Sequence, residues 1–112
     1  MYDVKHETFN DGVLRYGYME PVLNSFKKKL GEVFKDKGIL FFKRLSSREA
    51  DVIRCSSLGY SLDIKLKVPY RPNITTTDKV FIENINYDII YLDEDNKRYI
   101  YLYLQKAGIK ND

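Results

Sequence analysis

Apolar and polar side chains alternate with a period of two between Ser61 and Tyr70. The apolar positions are Leu62, Ile64, Leu66, Val68 and Tyr70, and Asp63, Lys65 and Lys67 stand between them. This is the period of a strand that packs one face on a core and turns the other to solvent. Pro69 and Pro72 predict its end, because proline cannot donate to a ladder of hydrogen bonds. The chain is therefore expected to build its core on a β-sheet.

Three more strands are predicted in the C-terminal half. They cover residues 79–85, 87–92 and 98–105, with Asn84 and Asn86 as turn residues and a charged hairpin loop over residues 93–97. Short links between consecutive strands are typical of an antiparallel meander. The predicted fold class is mainly β, a small antiparallel β-barrel with one short α-helix.

The short helix is predicted from Ser47 to Ser56, after a strand over residues 38–45. Ser46 and Glu49 have the spacing of a capping box, in which each side chain satisfies a backbone N–H at the start of a helix. Cys55 lies on the apolar side of this helix, where it is expected to act as a small buried side chain.

The first 37 residues fit more than one interpretation. Val22, Phe26, Leu30 and Val33 follow Pro21 at roughly helical spacing, but the same stretch also fits a loop that leads into a strand. Residues 4–9 and 13–18 flank the turn-forming sequence Asn-Asp-Gly and are candidates to pair as a hairpin. All 112 residues are expected to form one domain, with residues 38–105 as the barrel region.

The sequence offers little catalytic chemistry. The one histidine, His6, stands near the N-terminus, and the single cysteine, Cys55, has no second histidine to activate it. A lone cysteine also excludes an internal disulfide, which favours a soluble protein of a reducing compartment. The acidic run at residues 93–95 is expected to be a solvated turn. We therefore expect no enzyme, no cofactor, no metal and no membrane association.

Charge is unevenly distributed along the chain. Eight cations and two anions lie between Lys27 and Arg48, whereas six anions and one cation lie between Asp78 and Asp95, although the whole chain carries only +3. Unlike surfaces of this kind can bring copies of a chain together. The candidate residues of such an interface between subunits are Lys27, Lys28, Lys29, Lys43, Arg44, Arg48, Asp93, Glu94, Asp95, Tyr99, Tyr101 and Tyr103.

The last predicted strand is apolar on both faces. Tyr99, Tyr101 and Tyr103 alternate with Ile100, Leu102 and Leu104. One face is expected to close the core, and the other needs cover from a second layer or from another molecule. The alternative function is a small barrel that binds nucleic acid or a peptide on this tyrosine-rich strand.

The order of these segments resembles the head closure proteins of tailed bacteriophages, also called head–tail adaptors or stoppers. The resemblance covers residues 38–105 and rests on G-I-L-F-F-K-R-L-S-S-R-E, then K-V-P-Y-R-P, then D-K-V-F-I-E-N-I-N-Y-D-I-I-Y-L-D, and finally R-Y-I-Y-L-Y-L-Q. It implies a small barrel that assembles as a ring, usually a dodecamer. A protein that works only in such an assembly is expected to be monomeric when alone. The implied location is the head–tail interface of the virion, reached from the host cytoplasm during assembly.

The resemblance also implies partners and a gate. The ring would bind the connector or adaptor protein below the portal and a tail-completion or tail-terminator protein, and it would hold viral double-stranded DNA in its channel. A loop would block DNA exit until ejection. The first candidates for this loop are Arg54, Ser56, Ser57, Leu58, Gly59 and Tyr60, and the second are Arg71, Asn73, Thr75, Thr76 and Thr77.

Overall fold

Six antiparallel strands and one helix make up the computed structural model, which describes residues 8–107. The elements are β1 (Gly12–Leu23), β2 (Lys29–Leu45), α1 (Glu49–Ser57), β3 (Ile64–Pro69), β4 (Lys79–Ile82), β5 (Ile85–Asp95) and β6 (Tyr99–Lys106). The strands form one closed barrel in the order β1-β2-β3-β6-β5-β4. The predicted mainly β fold with one short helix is confirmed.

The barrel interior is filled by the apolar faces of the strands and by Ile74 from the loop between β3 and β4. Its buried members are Leu14, Tyr16, Leu40, Phe42, Ile64, Leu66, Val68, Ile74, Val80, Tyr87, Ile89, Ile100, Leu102 and Leu104. The apolar side chains of the alternating pattern in β3 and β6 therefore point into the core, as the sequence predicted. Closure removes the open edges that would otherwise leave backbone groups unpaired.

The first third of the chain corrects the helical interpretation. Residues 20–23 belong to β1 and residues 29–34 to β2, and these strands pair with each other from Gly12 opposite Phe42 to Leu23 opposite Lys29. Cross-strand pairing satisfies the backbone along the hairpin, and the apolar residues at helical spacing stay exposed on it instead of packing on the core. The predicted hairpin pairs residues 4–9 with residues 13–18. Residues 4–7, which include His6, lie outside the described residues, and residues 8 and 9 are not in a strand. Residues 13–18 pair with β2 and β4 instead.

Helix α1 begins two residues later than predicted and is capped differently. The side chain of Asp51, rather than the Ser46–Glu49 pair, accepts a hydrogen bond at 3.1 Å from the backbone N–H of Arg48. The expected capping box at Ser46 and Glu49 is therefore wrong, since Glu49 is already the first helical residue.

The acidic run is also displaced from its predicted loop. Asp93, Glu94 and Asp95 are the last residues of β5, and only a tight turn separates them from β6. Asn96 and Lys97 both have positive φ, at 50° and 57°, which is the geometry of a two-residue hairpin turn that follows strand twist. Strand β5 therefore includes residues 93–95, which the composition had assigned to the loop.

Candidate assembly interface

A two-stranded ribbon projects from the barrel. β1 pairs with β4 only through Arg15 to Gly17, so residues 18–35 pair only within the β1–β2 hairpin. We call residues 18–35 the arm. Its six residues from β1 span about 20 Å, and the molecule measures 66 Å along its longest axis but only 29 and 24 Å across.

The tip of the arm is an ordered turn. Asn24 Oδ1 accepts hydrogen bonds from the backbone N–H groups of Phe26 and Lys28 at 2.8 and 2.9 Å. Lys27 adopts a positive φ of 62°, which completes the reversal. The turn leaves the ring of Phe26 87% exposed, beside the predicted basic residues Lys27, Lys28 and Lys29. The tip thus combines an aromatic side chain with three cations.

The base of the arm is braced on its inner side. Lys37 Nζ lies 2.9 Å from the carboxylate of Asp78, which is 2% exposed, and donates to the carbonyl oxygen of Asn73 at 2.7 Å. Tyr16 donates its hydroxyl to the side chain of Asn73 at 2.9 Å. Asp78 also accepts the backbone N–H of Thr75. The loop between β3 and β4 therefore holds the base of the arm.

The outer side of the base is braced as well. Arg15 pairs with Asp36 at 2.6 Å, and the ring of Phe34 meets that of Phe81 edge-on with centroids 4.8 Å apart. The arm therefore leaves the barrel in a direction fixed from two sides.

Helix α1 lies over the outer face of β3, β5 and β6. Lys65 Nζ donates to Asp51 at 2.9 Å with both side chains buried, and the guanidinium of Arg54 lies 4.7 Å from the centroid of the Tyr91 ring. Burial favours the neutral form of Asp51, but the hydrogen bonds from Lys65 and Arg48 outweigh it and lower the pKa of Asp51. Cys55 is fully buried, and burial raises the pKa of its thiol, as expected for a structural cysteine.

The helix covers one tyrosine of the predicted interface. Tyr103 is only 4% exposed and stacks on Tyr91 with centroids 4.0 Å apart. Burial, reinforced by the hydrogen bond with Tyr103, raises the pKa of Tyr91 to about 12. Tyr99 and Tyr101 are half-buried. The strand therefore leaves two rings partly open, rather than the three that the alternative binding function assumed, and the ring of Phe9 lies 5.9 Å from that of Tyr99.

Charges of both signs flank these two rings. On β3, Lys67 Nζ lies 4.2 Å from the Tyr99 ring centroid and 5.6 Å from that of Tyr101. On β5, Asp93 stands opposite Tyr101 and Asp95 opposite Tyr99. Because directly opposed residues share a face, cations, rings and carboxylates form three neighbouring columns.

The predicted gating residues are not an extended loop. Arg54, Ser56 and Ser57 are in α1, and Leu58, Gly59 and Tyr60 form the turn that ends it. The backbone N–H of Tyr60 donates to Cys55 and that of Gly59 to Ser56, both at 2.9 Å, and Gly59 takes the positive φ that such a turn requires. These bonds hold the turn against the helix, so the expectation that Arg54, Ser56 and Ser57 belong to a loop is wrong.

The remaining predicted residues are spread over the molecule. Arg71, Asn73, Thr75, Thr76 and Thr77 lie in the loop that braces the arm, while Lys43, Arg44 and Arg48 lie at or beyond the C-terminal part of β2. Arg44 also lines a barrel mouth of about 410 Å³, where Asp11 and Asp63 accept backbone N–H groups at 2.8 and 2.7 Å. The predicted acidic and basic groups therefore do not form one site within a single copy.

The arm is the feature that sequence reasoning missed. Its exposed apolar side chains are Tyr18, Val22, Leu23, Phe26, Leu30 and Val33. The sequence signal for the arm was limited to Asn24, a residue that favours turns, with apolar residues on both sides of it. Among residues 8–107 no cluster of metal-ligating side chains occurs, and no helix in that range is long and apolar enough to cross a membrane.

Comparison with known proteins shows similarity of fold and no similarity of sequence that identifies a family. No protein-family model matches the chain, and no curated protein matches it either. Protein SF1141 from Shigella flexneri 2a has a similar structure, with a TM-score of 0.71 and 12% identity over 90% of this chain and 96% of that one. A chain from the virion of a native gene transfer agent particle is similar with a TM-score of 0.55 and 10% identity, over 88% of this chain and 96% of that one.

Proposed function

We propose that this chain is a structural subunit of the head–tail connector of a phage or phage-like particle. The observation that carries the proposal is the shared fold, over most of both chains, with a component of a gene transfer agent virion. The proposal agrees with the resemblance of residues 38–105 to head closure proteins. In this role the chain acts by assembling rather than by catalysing a reaction.

The proposed assembly is a ring that closes the DNA-filled head, controls the release of DNA and offers a surface to the tail. A ring requires two different surfaces on each subunit, because each copy meets its neighbours head to tail. The basic arm and the acidic outer face of β5 are two such surfaces on one chain. Ring closure also strengthens weak contacts, since the last contact forms within one assembly.

The proposed partners follow from this position. They are the connector or adaptor protein next to the portal, the tail-completion or tail-terminator protein, and double-stranded DNA in the channel. The gate is proposed to be formed by the turn at residues 58–60 or by the loop at residues 71–77. Both segments are short and hydrogen-bonded, so the narrowing of the channel would come mainly from the positions of the barrels in the ring.

A stop codon early in the gene, introduced into the genome that encodes it, tests the proposal. We expect heads that package DNA, then lose it, and that gain no tails when viewed by electron microscopy. Expression of the wild-type chain from a plasmid should restore tailed particles. Normal yields of tailed, infectious or gene-transferring particles from the stop mutant would contradict the proposal.

A further inference from the structure

The arm carries more apolar surface than a solvated hairpin needs. Directly opposed residues share a face, so Tyr18, Val22 and Val33 lie on one side of the ribbon, and Met19, Pro21 and Phe34 on the other. Tyr18, Val22 and Val33 are each exposed by about two fifths, at 43, 39 and 41%. An isolated two-stranded ribbon is at best marginally stable in water, and exposed apolar patches commonly mark contacts with other proteins.

We infer that the arm of one copy docks on the outer face of β5 and β6 of a neighbouring copy. The receiving surface, which we call the acidic tyrosine face, consists of Tyr99, Tyr101, Asp93 and Asp95. The inference deepens the proposed function and rests on it for the closure of the contacts into a ring. The occupant of the face is thus a second copy of this chain.

Charge complementarity supports this pairing. Lys27 and Lys28 stand exposed at the arm tip, and Asp93 is exposed on the receiving face with Asp95 half-buried beside it. Opposite charges brought together in this way fix the orientation of a contact and speed its formation. In the docked pair, the lysines of the arm meet the carboxylates on the β5 side of the neighbour's face, because Lys67 already occupies the β3 side of the tyrosine rings.

The aromatic groups match as well. Phe26 is the most exposed large apolar side chain among the described residues, at 87%, and Tyr99 and Tyr101 present half-buried rings. Aromatic rings that meet edge-to-face or in offset stacks contribute beyond their buried area. The arm therefore brings the exposed ring of Phe26 and two cations to a surface of tyrosine rings and carboxylates.

DNA is a poorer occupant for the arm than a protein. Phosphates would neutralise the lysines of the tip, but they would leave the apolar side chains on both faces of the ribbon uncovered. The arm also leaves the barrel beyond the last β1–β4 pair at Gly17, with its base braced by Lys37 and Arg15. Contact with a second copy covers what remains exposed.

Two charge-reversed variants of the full chain test the inference. The arm variant is Lys27→Glu with Lys28→Glu, and the face variant is Asp93→Lys with Asp95→Lys. Sedimentation velocity should show each variant alone associating at least tenfold more weakly than the wild type. An equimolar mixture should recover association to within threefold of wild type, because each reversed arm then finds a reversed face and each native arm finds a native face.

A control reverses a charge at the other end of β5 and β6, where Lys106 is exposed and stands opposite Tyr87. Lys106→Glu should associate like the wild type, and near-ultraviolet circular dichroism of every variant should report a native barrel. A wild-type chain that stays monomeric at about 1 mM, or a mixture no more associated than its components, would overturn the inference. Lysine-dependent binding to DNA without association of the chain would overturn it too.

These outcomes are separable from failure of the proposed function. If copies join through the arm while the stop mutant still makes normal particles, the docking is upheld and the connector role falls. If the stop mutant loses tails while the mixed variants do not associate, the connector role stands and arm docking is wrong.

Discussion

Lys65 and Asp51 form an ion pair at 2.9 Å in which both side chains are more than nine-tenths buried. One residue lies on the outer face of β3 and the other in the first turn of α1. Asp51 also accepts the backbone N–H of Arg48, so a single carboxylate both caps the helix and fastens it to the barrel. The pair therefore determines which part of the tyrosine-rich strand the helix covers.

Asp51→Asn should destabilise the fold by about 3 kcal/mol, because it leaves the buried Lys65 ammonium without its counter-charge. The pKa of Asp51 in the folded state lies below its ordinary value of 3.8. Its stabilising contribution is thus present in full above about pH 4 and is lost as the pH falls below that value. Urea unfolding from pH 7 to pH 2 should show a steeper acid loss in wild type than in Asp51→Asn.

A matched control separates the ion pair from the packing around it. Asp51→Leu combined with Lys65→Met replaces both charges with apolar side chains, so the double variant should recover most of the stability lost in Asp51→Asn. An equal or larger loss in the double variant would show that the helix needs the carboxylate itself at this position, and that the loss in Asp51→Asn does not come only from the unpaired Lys65.

Lys37→Met should loosen the base of the arm. The substitution leaves the nearly fully buried carboxylate of Asp78 without its cation and costs about 3 kcal/mol. Amide hydrogen exchange is expected to accelerate first over residues 70–78 and the adjoining part of β1, since these segments share the lost contacts. Uniform acceleration across the barrel would argue against a local brace.

Two glycines of the hairpin should respond in opposite ways to alanine. At Gly17 a Cβ would lie 2.0 Å from the carbonyl oxygen of Lys35, so Gly17→Ala should cost about 3 kcal/mol or prevent folding. At Gly31 a Cβ meets nothing within 4 Å, so Gly31→Ala should be neutral or stabilise by about 0.5 kcal/mol. Thermal unfolding of the two variants in parallel checks the register of the hairpin.

Phe26→Ser should weaken the association of copies and leave the stability of the fold almost unchanged. The ring is almost fully exposed, so the thermal midpoint of the isolated chain should change little, with a stability difference within about 0.5 kcal/mol. Self-association measured by light scattering should fall at least tenfold if the ring binds a neighbour. Unchanged association would remove Phe26 from the interface.

The C-terminal half could be predicted from the sequence because one physical signal dominates there. Alternation in β3 and β6 identifies the buried faces, and the single free cysteine of the described chain, Cys55, is buried as expected. The end of β5 was harder to predict, since the carboxylates that suggested a loop tolerate a strand when its outer face remains exposed.

The first third could not be predicted because its two signals conflict. Val22, Phe26, Leu30 and Val33 imitate helical spacing, whereas in the structure their strands pair with each other on either side of the turn at Asn24. The base of this ribbon is braced by contacts that are distant in sequence, such as Lys37 with Asp78, so local propensity alone does not decide the fold. Likewise, nothing local to Tyr103 indicates that α1 will cover it.

Cryo-electron microscopy of particles produced by the genome that encodes this chain is the decisive test of ring assembly through the arm. We expect a closed ring of these barrels at the junction of head and tail, with the arm of each copy crossing the β5–β6 face of the next. Complete particles in which this chain is absent, or is located away from that junction, would contradict it.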